Sequence, residues 1–122
     1  MPARPLIAIV EDDESLRPAL LGLVRSLGYQ GEGFDSAEAF LAAGAQYRAA
    51  CLVTDLQLPG IGGLELKAHL DEAGCALPVI AITARTEAAL DARALAAGAL
   101  CLLRKPFEAD ALIVCIARAL DS

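Results

Sequence analysis

Five side chains able to do chemistry stand at or just past the ends of apolar runs that are far apart in the chain. Glu11 and Asp12 follow Leu6-Ile7-Ala8-Ile9-Val10, Asp55 ends Cys51-Leu52-Val53-Thr54-Asp55, Thr83 ends Pro78-Val79-Ile80-Ala81-Ile82-Thr83, and Lys105 follows the run that ends at Leu103. Three carboxylates brought together repel, and each raises the others' affinity for protons unless a cation lies among them. Oxygen ligands of this kind suit Mg²⁺, which takes few protein ligands and keeps positions for water and phosphate. A carboxylate is also a nucleophile that can carry a phosphoryl group. Phosphoryl transfer asks mainly for positioning and charge neutralisation, which an ammonium and a hydroxyl also supply.

The elements that would bring these groups together follow from the pattern of the chain. Each run is short, apolar and rich in β-branched residues, as expected of strands buried on both faces. Between the runs, apolar residues recur at helical spacing. Leu16, Leu20, Leu23, Val24 and Leu27 predict a first helix over 15–27, stopped by Gly28. A second strand over 29–34 is weakened by Gly31 and Gly33, and Asp35-Ser36-Ala37-Glu38 has the spacing of a capping box opening a short second helix. After the Pro59-Gly60 turn, Leu64, Leu66 and Leu70, with Ala68 and Ala73, predict a third helix that Gly74 ends. The fourth helix runs from Thr86-Glu87 to Ala97 before Gly98, the fifth strand covers 99–103, and the last helix covers 108–120. Strand ends therefore fall near 10, 34, 55, 83 and 104. Five alternating strand–helix pairs predict a parallel sheet with right-handed crossovers and helices on both faces. In such sheets ligands bind at the carboxyl ends of the strands, where the five groups stand.

Composition narrows the functions. The chain has 122 residues, enough for one domain with a full core, and 57% of them are hydrophobic but only 4% aromatic. No apolar run nears the roughly 20 residues of a membrane span, and Met1-Pro2-Ala3-Arg4-Pro5 makes a poor signal peptide, so a soluble cytoplasmic domain is expected. The net charge of −6 argues against direct contact with nucleic acid. Cys51, Cys75, Cys101 and Cys115 lack metal-ligand spacing and read as small hydrophobes in a reducing compartment. His69 reads as a solvated surface residue.

Four stretches in order resemble the receiver domains of two-component response regulators: Ile9-Val10-Glu11-Asp12-Asp13, Val53-Thr54-Asp55-Leu56-Gln57-Leu58-Pro59-Gly60, Ala81-Ile82-Thr83-Ala84 and Lys105-Pro106-Phe107. Ser36-Ala37-Glu38-Ala39-Phe40-Leu41 resembles the FixJ type among them. The resemblance covers essentially the whole chain, read as a single receiver domain over 1–122 with an output domain absent or removed beyond it. It implies a flavodoxin-like (βα)5 three-layer sandwich with strand order 2-1-3-4-5. It implies that Asp55 accepts a phosphoryl group from a phosphohistidine on a sensor histidine kinase, with Mg²⁺ or Mn²⁺, and later loses it to water. Residue by residue, Asp12 matches the direct metal ligand and Glu11 its neighbour. Asp55 and the backbone carbonyl of Gln57 complete the metal set. Thr83 matches the hydroxyl that moves to the phosphoryl group, and Lys105 the charge that pairs with it. Asp13 reads as a helix cap, and the Lys105-Pro106 bond is expected to be cis. The role so implied is a phosphorelay signalling switch, not an enzyme acting on other substrates. It would control a homodimer formed through the fourth helix, fifth strand and fifth helix, or an output domain in transcription regulation.

One position departs from the family pattern. Leu102 stands where receivers usually carry Tyr or Phe, three residues before the lysine. We expect Leu102 and apolar residues of the fourth and fifth helices to form an aliphatic contact patch. Two alternatives stay open at this stage: a receiver-like binding module that takes no phosphate, and a Mg²⁺-dependent aspartyl phosphohydrolase. The second usually needs an acid two residues after the nucleophile, where this chain has Gln57.

Overall fold

A computed structural model describes residues 4–121. Met1-Pro2-Ala3, part of the leader reading, and the final Ser122 lie outside the described residues. The apolar runs form β1 (Leu6–Val10), β2 (Gln30–Phe34), β3 (Cys51–Asp55), β4 (Val79–Thr83) and β5 (Cys101–Arg104). They pair in parallel in the order β2-β1-β3-β4-β5, which is the flavodoxin-like order the resemblance implies. The connecting helices are α1 (Leu16–Ser26), α2 (Ala37–Ala42), α3 (Gly63–Glu72), α4 (Ala88–Ala96) and α5 (Ala109–Leu120). Among the described residues no helix is long and apolar enough to cross a membrane.

Strand alternation divides the core between the two faces of the sheet. Ile7, Ile9, Val53, Ile80 and Ile82 pack with Leu20 and Val24 of α1 and with Leu112 and Ile116 of α5. Ala8, Val10, Leu52 and Val79 pack on the other face with Phe40 of α2 and with Leu66 and Leu70 of α3. On that second face a smaller group under α4 joins Leu56, Ala81 and Ala94 to Leu64, Leu90 and Leu102. Burial on both faces explains why the strands read as continuous apolar runs and not as alternating ones. Each fully buried aliphatic side chain contributes about 1.5–3 kcal/mol, so the inner strands are the most firmly held part of the chain.

The glycines of β2 do more than weaken it. A Cβ at Gly31 would come within 2.8 Å of Val24 Cγ2, and one at Gly33 within 2.8 Å of Leu21 Cδ1, so their absence lets α1 lie close on the edge strand. Three local expectations are corrected. The cap of α2 is Ser36 and not Asp35: its Oγ accepts from Ala39 N at 3.1 Å, which frees Glu38 for a longer-range contact. The fifth strand starts at Cys101 and not Ala99, because the Ala99 amide is spent closing α4 on the Ala94 carbonyl at 3.1 Å. Ala68, Ala73 and Leu27, placed on apolar helix faces by spacing, are exposed. A 3-10 turn, Ala45–Tyr47, also stands between α2 and β3, in a stretch too short to carry a periodic signal.

Candidate acidic site at the carboxyl edge of the sheet

The strand order brings the ends of β1, β3, β4 and β5 side by side, so their terminal groups share one crevice. Asp55 is 4% exposed and Glu11 is 1% exposed, both held at strand ends by full burial of the residues before them. Lys105 reaches between them: its Nζ donates to Asp55 Oδ2 at 2.6 Å and pairs with Glu11 Oε1 at 2.7 Å. The Lys105 amide donates to the Thr83 carbonyl at 2.7 Å, tying the end of β5 to β4. The Lys105-Pro106 bond is cis, as the resemblance implies. Asp55 Oδ1 accepts from the Gln57 amide at 2.8 Å, so both oxygens of this carboxylate are fixed.

Asp12 lies exposed at the mouth, and one carboxylate oxygen from each of Glu11, Asp12 and Asp55 comes within 4.8 Å of the others. Three carboxylates against one ammonium leave about two negative charges, the charge that a divalent cation offsets. Glu11 Oε1 sharpens the point. It is buried, and apart from the ion pair with Lys105 it has no aligned hydrogen-bond donor. Burial pushes the Glu11 carboxyl above the ordinary carboxylate value, and the pull of Lys105 and of the Asp13 amide reverses only part of this. The oxygen-only donor set and this under-satisfied atom fit Mg²⁺, and Mn²⁺ by the same chemistry. Burial alone would lower the Lys105 ammonium, but the hydrogen bonds and charges of Asp55 and Glu11 outweigh it and hold the group above its usual value. It stays a cation throughout the neutral range.

Asp13 caps α1, as expected, but reaches over the formal cap residue Ser15. Its Oδ1 accepts from Ser15 N at 2.7 Å and Leu16 N at 3.0 Å, and these two bonds hold its carboxyl below the ordinary value. Thr83 is fully buried on the α4 side of the sheet, two residues along from Ala81. Its Oγ1 donates to Gln57 Oε1 at 2.8 Å and accepts from Arg85 N at 3.0 Å. Leu102 pairs with Ala81 in register and is half-buried in the group under α4, so it is part of the packing between α4 and β5 and not a free surface residue.

Several contacts around the site were not legible beforehand. Gln57 was singled out for its carbonyl, whereas its side chain engages Thr83. Glu38 Oε2 accepts from Ile61 N at 3.3 Å, linking α2 to the β3–α3 loop. Arg104 Nη2 donates to both oxygens of Asp91 at 2.7 and 2.6 Å, fastening α4 to β5. Lone polar residues in otherwise apolar or loop segments were the only signal. His69 is exposed, and all four cysteines are free, with Cys51, Cys101 and Cys115 buried and Cys75 half-buried. Burial pushes the Cys51 and Cys115 thiols up to about 12, which leaves them inert as nucleophiles.

A doubly wound parallel sheet with a lysine-bridged acidic cluster at its carboxyl edge defines the class of the molecule, and comparison with known proteins agrees. Residues 7–117 match the response regulator receiver domain, and the chain belongs to that family. It is 38% identical over 119 residues to the transcriptional regulatory protein FixJ of Azorhizobium caulinodans, covering 98% of this chain and 56% of that protein. It is 36% identical over 115 residues to the response regulator protein TmoT of Ectopseudomonas mendocina, covering 94% and 52%. The chain thus spans about half the length of the curated relatives it matches. Among solved structures, FixJ-N superposes with a TM-score of 0.88 at 35% identity, covering 99% of this chain and 96% of that one. The response regulator StyR gives 0.86 at 38% identity, covering 98% and 60%. The protein is therefore a two-component receiver domain, a signalling module of a family whose members respond to phosphorylation and bind Mg²⁺ at an acidic pocket.

Proposed function

We propose that Asp55 accepts a phosphoryl group from a phosphohistidine on a sensor histidine kinase. The observation that carries this reading is the buried Asp55 carboxylate, oriented by the Gln57 amide and the Lys105 ammonium inside the acidic cluster. An Asp55 oxygen forms a bond to phosphorus as the bond from phosphorus to the histidine nitrogen breaks, and that nitrogen leaves with the electron pair. Glu11, Asp12, Asp55 and the carbonyl of Gln57 would hold Mg²⁺ or Mn²⁺, which when bound neutralises charge on the transferring group. Lys105 pairs with the phosphoryl oxygens, and the Thr83 hydroxyl turns toward them. Water later attacks the phosphorus, releasing inorganic phosphate and restoring the carboxylate.

The resulting shift in population changes the surface of α4, β5 and α5 and controls self-association or a fused or separate output domain. The names of the relatives, transcriptional regulatory proteins among them, favour an output in transcription regulation. The test is incubation with acetyl phosphate and Mg²⁺, followed by intact-mass measurement. One acid-stable, base-labile phosphoryl adduct is expected on the wild type and none on Asp55→Asn. No adduct on the wild type, or an equal adduct on the variant, overturns the reading.

A further inference from the structure

We propose that the side chain of Gln57 is a latch on Thr83, holding its hydroxyl in the unphosphorylated arrangement and so setting how readily the site takes a phosphoryl group. The inference rests on the function proposed above, in which the Thr83 hydroxyl turns to the phosphoryl oxygens. A threonine hydroxyl has one hydrogen to give. Here it is given to Gln57 Oε1 at 2.8 Å, while the oxygen accepts from Arg85 N at 3.0 Å. Thr83 is 0% exposed, so no water competes for that hydrogen. A bond to Gln57 and a bond to the phosphoryl group therefore exclude each other, and the pair is a two-position element biased by whichever acceptor is stronger. The neutral amide oxygen wins when Asp55 is unmodified, and the charged phosphoryl oxygen wins afterwards.

Gln57 is well placed for this role. Its own amide donates to Asp55 Oδ1 at 2.8 Å, so one residue touches both the acceptor carboxylate and the group that must move. Gln57 also lines a cavity of about 410 Å³ between the β3–α3 loop and α4, walled by Leu64, Glu65, Leu90 and Arg93. A released Gln57 amide has room there, against α4. Leu90 of that wall also belongs to the packed group containing Leu102. The latch thus links the site to the α4–β5 surface in a chain that lacks the usual aromatic residue at position 102.

The test uses beryllofluoride with Mg²⁺ as the phosphoryl probe. Its dissociation constant is measured by titration for wild type, Gln57→Met, Thr83→Val and the double variant. Methionine keeps the length of the side chain but removes the amide acceptor. Gln57→Met should bind beryllofluoride about fivefold more tightly, the equivalent of one neutral hydrogen bond of about 1 kcal/mol. In the Thr83→Val background the same change should have no effect, an outcome that a general loosening of the loop would not produce. Unchanged affinity in Gln57→Met, or an equal gain with and without the Thr83 hydroxyl, overturns the latch while leaving the phosphoacceptor reading intact. A wild type that binds no beryllofluoride removes both.

Discussion

Lys105 ties the site together, because its ammonium is the cation shared by Glu11 and Asp55. Removing one partner of a buried ion pair leaves the other charges uncompensated, which costs more than the pair itself contributes. Its side chain is 22% exposed, so solvent screens part of that cost. Lys105→Met should lose on the order of 2 kcal/mol in metal-free urea unfolding. Added Mg²⁺ should stabilise the variant more than the wild type, since a divalent ion takes over the missing charge. Equal stabilisation of both by Mg²⁺ would count against the metal set. Asp13 acts through a different term, two backbone amides at the start of α1. Its folded-state affinity for protons is lowered below the ordinary 3.8, so its contribution is complete above that value and disappears as pH falls through the folded one. Asp13→Ala should melt at a lower temperature than wild type at pH 7, and the two melting curves should converge at strongly acid pH.

At the scale of elements, the β3–α3 junction leaves no room for a side chain at its first helical residue. α3 begins at Gly63, where a Cβ would lie 2.5 Å from the Asp55 carbonyl oxygen and 3.0 Å from Leu56 Cα. Neither neighbour is a flexible side chain, so the helix must move to make room. Gly63→Ala should cost roughly 1–3 kcal/mol through overpacking. By displacing the loop that carries Gln57, it should also slow phosphorylation by acetyl phosphate even where the variant remains fully folded. A variant phosphorylated at the wild-type rate would show that the junction does not position the site. Beside this junction, on the same face of the sheet, the Arg104–Asp91 ion pair and the small contacts of Ala81 and Ala94 seat α4. Small side chains there leave α4 held by fewer large apolar contacts than α1 or α5.

For the whole molecule the question is how a carboxylate modified as proposed would reach a partner. Leu102 lies in the packed layer between β5 and α4, while Leu95 on α4 and Val114 on α5 are 60% and 58% exposed. Leu102, the expected centre of an aliphatic patch, is thus itself half-buried, and the exposed aliphatic side chains on α4 and α5 are Leu95 and Val114. If that face carries self-association, beryllofluoride with Mg²⁺ should raise the sedimentation coefficient of wild type, and Leu102→Asp should remain monomeric. Leu95→Asp, a surface change with little effect on folding, should do the same. Unchanged association in both variants would dismiss the patch.

Much of this architecture is legible in the sequence alone. The strands, the helices and the presence of Glu11, Asp12, Asp55, Thr83 and Lys105 at strand ends follow from apolar runs, helical spacing and glycine stops, which are properties of short windows of chain. The strand order came from resemblance to receivers, since periodicity does not say which strands are neighbours. Where local patterns compete, as with Asp35 and Ser36 for the cap of α2, the choice fell to backbone geometry. Only the tertiary structure decided who touches whom inside the site: Lys105 between Glu11 and Asp55, Thr83 on the Gln57 side chain, Glu38 on the β3–α3 loop. The reason is physical. Whether a residue forms strand or helix is set mainly by its near neighbours and by burial, whereas the partner of a polar side chain depends on distances between separate elements to within a few tenths of an ångström. The sequence by itself determined which chemical groups arrive at the carboxyl edge, and the fold decided which of them hold one another there.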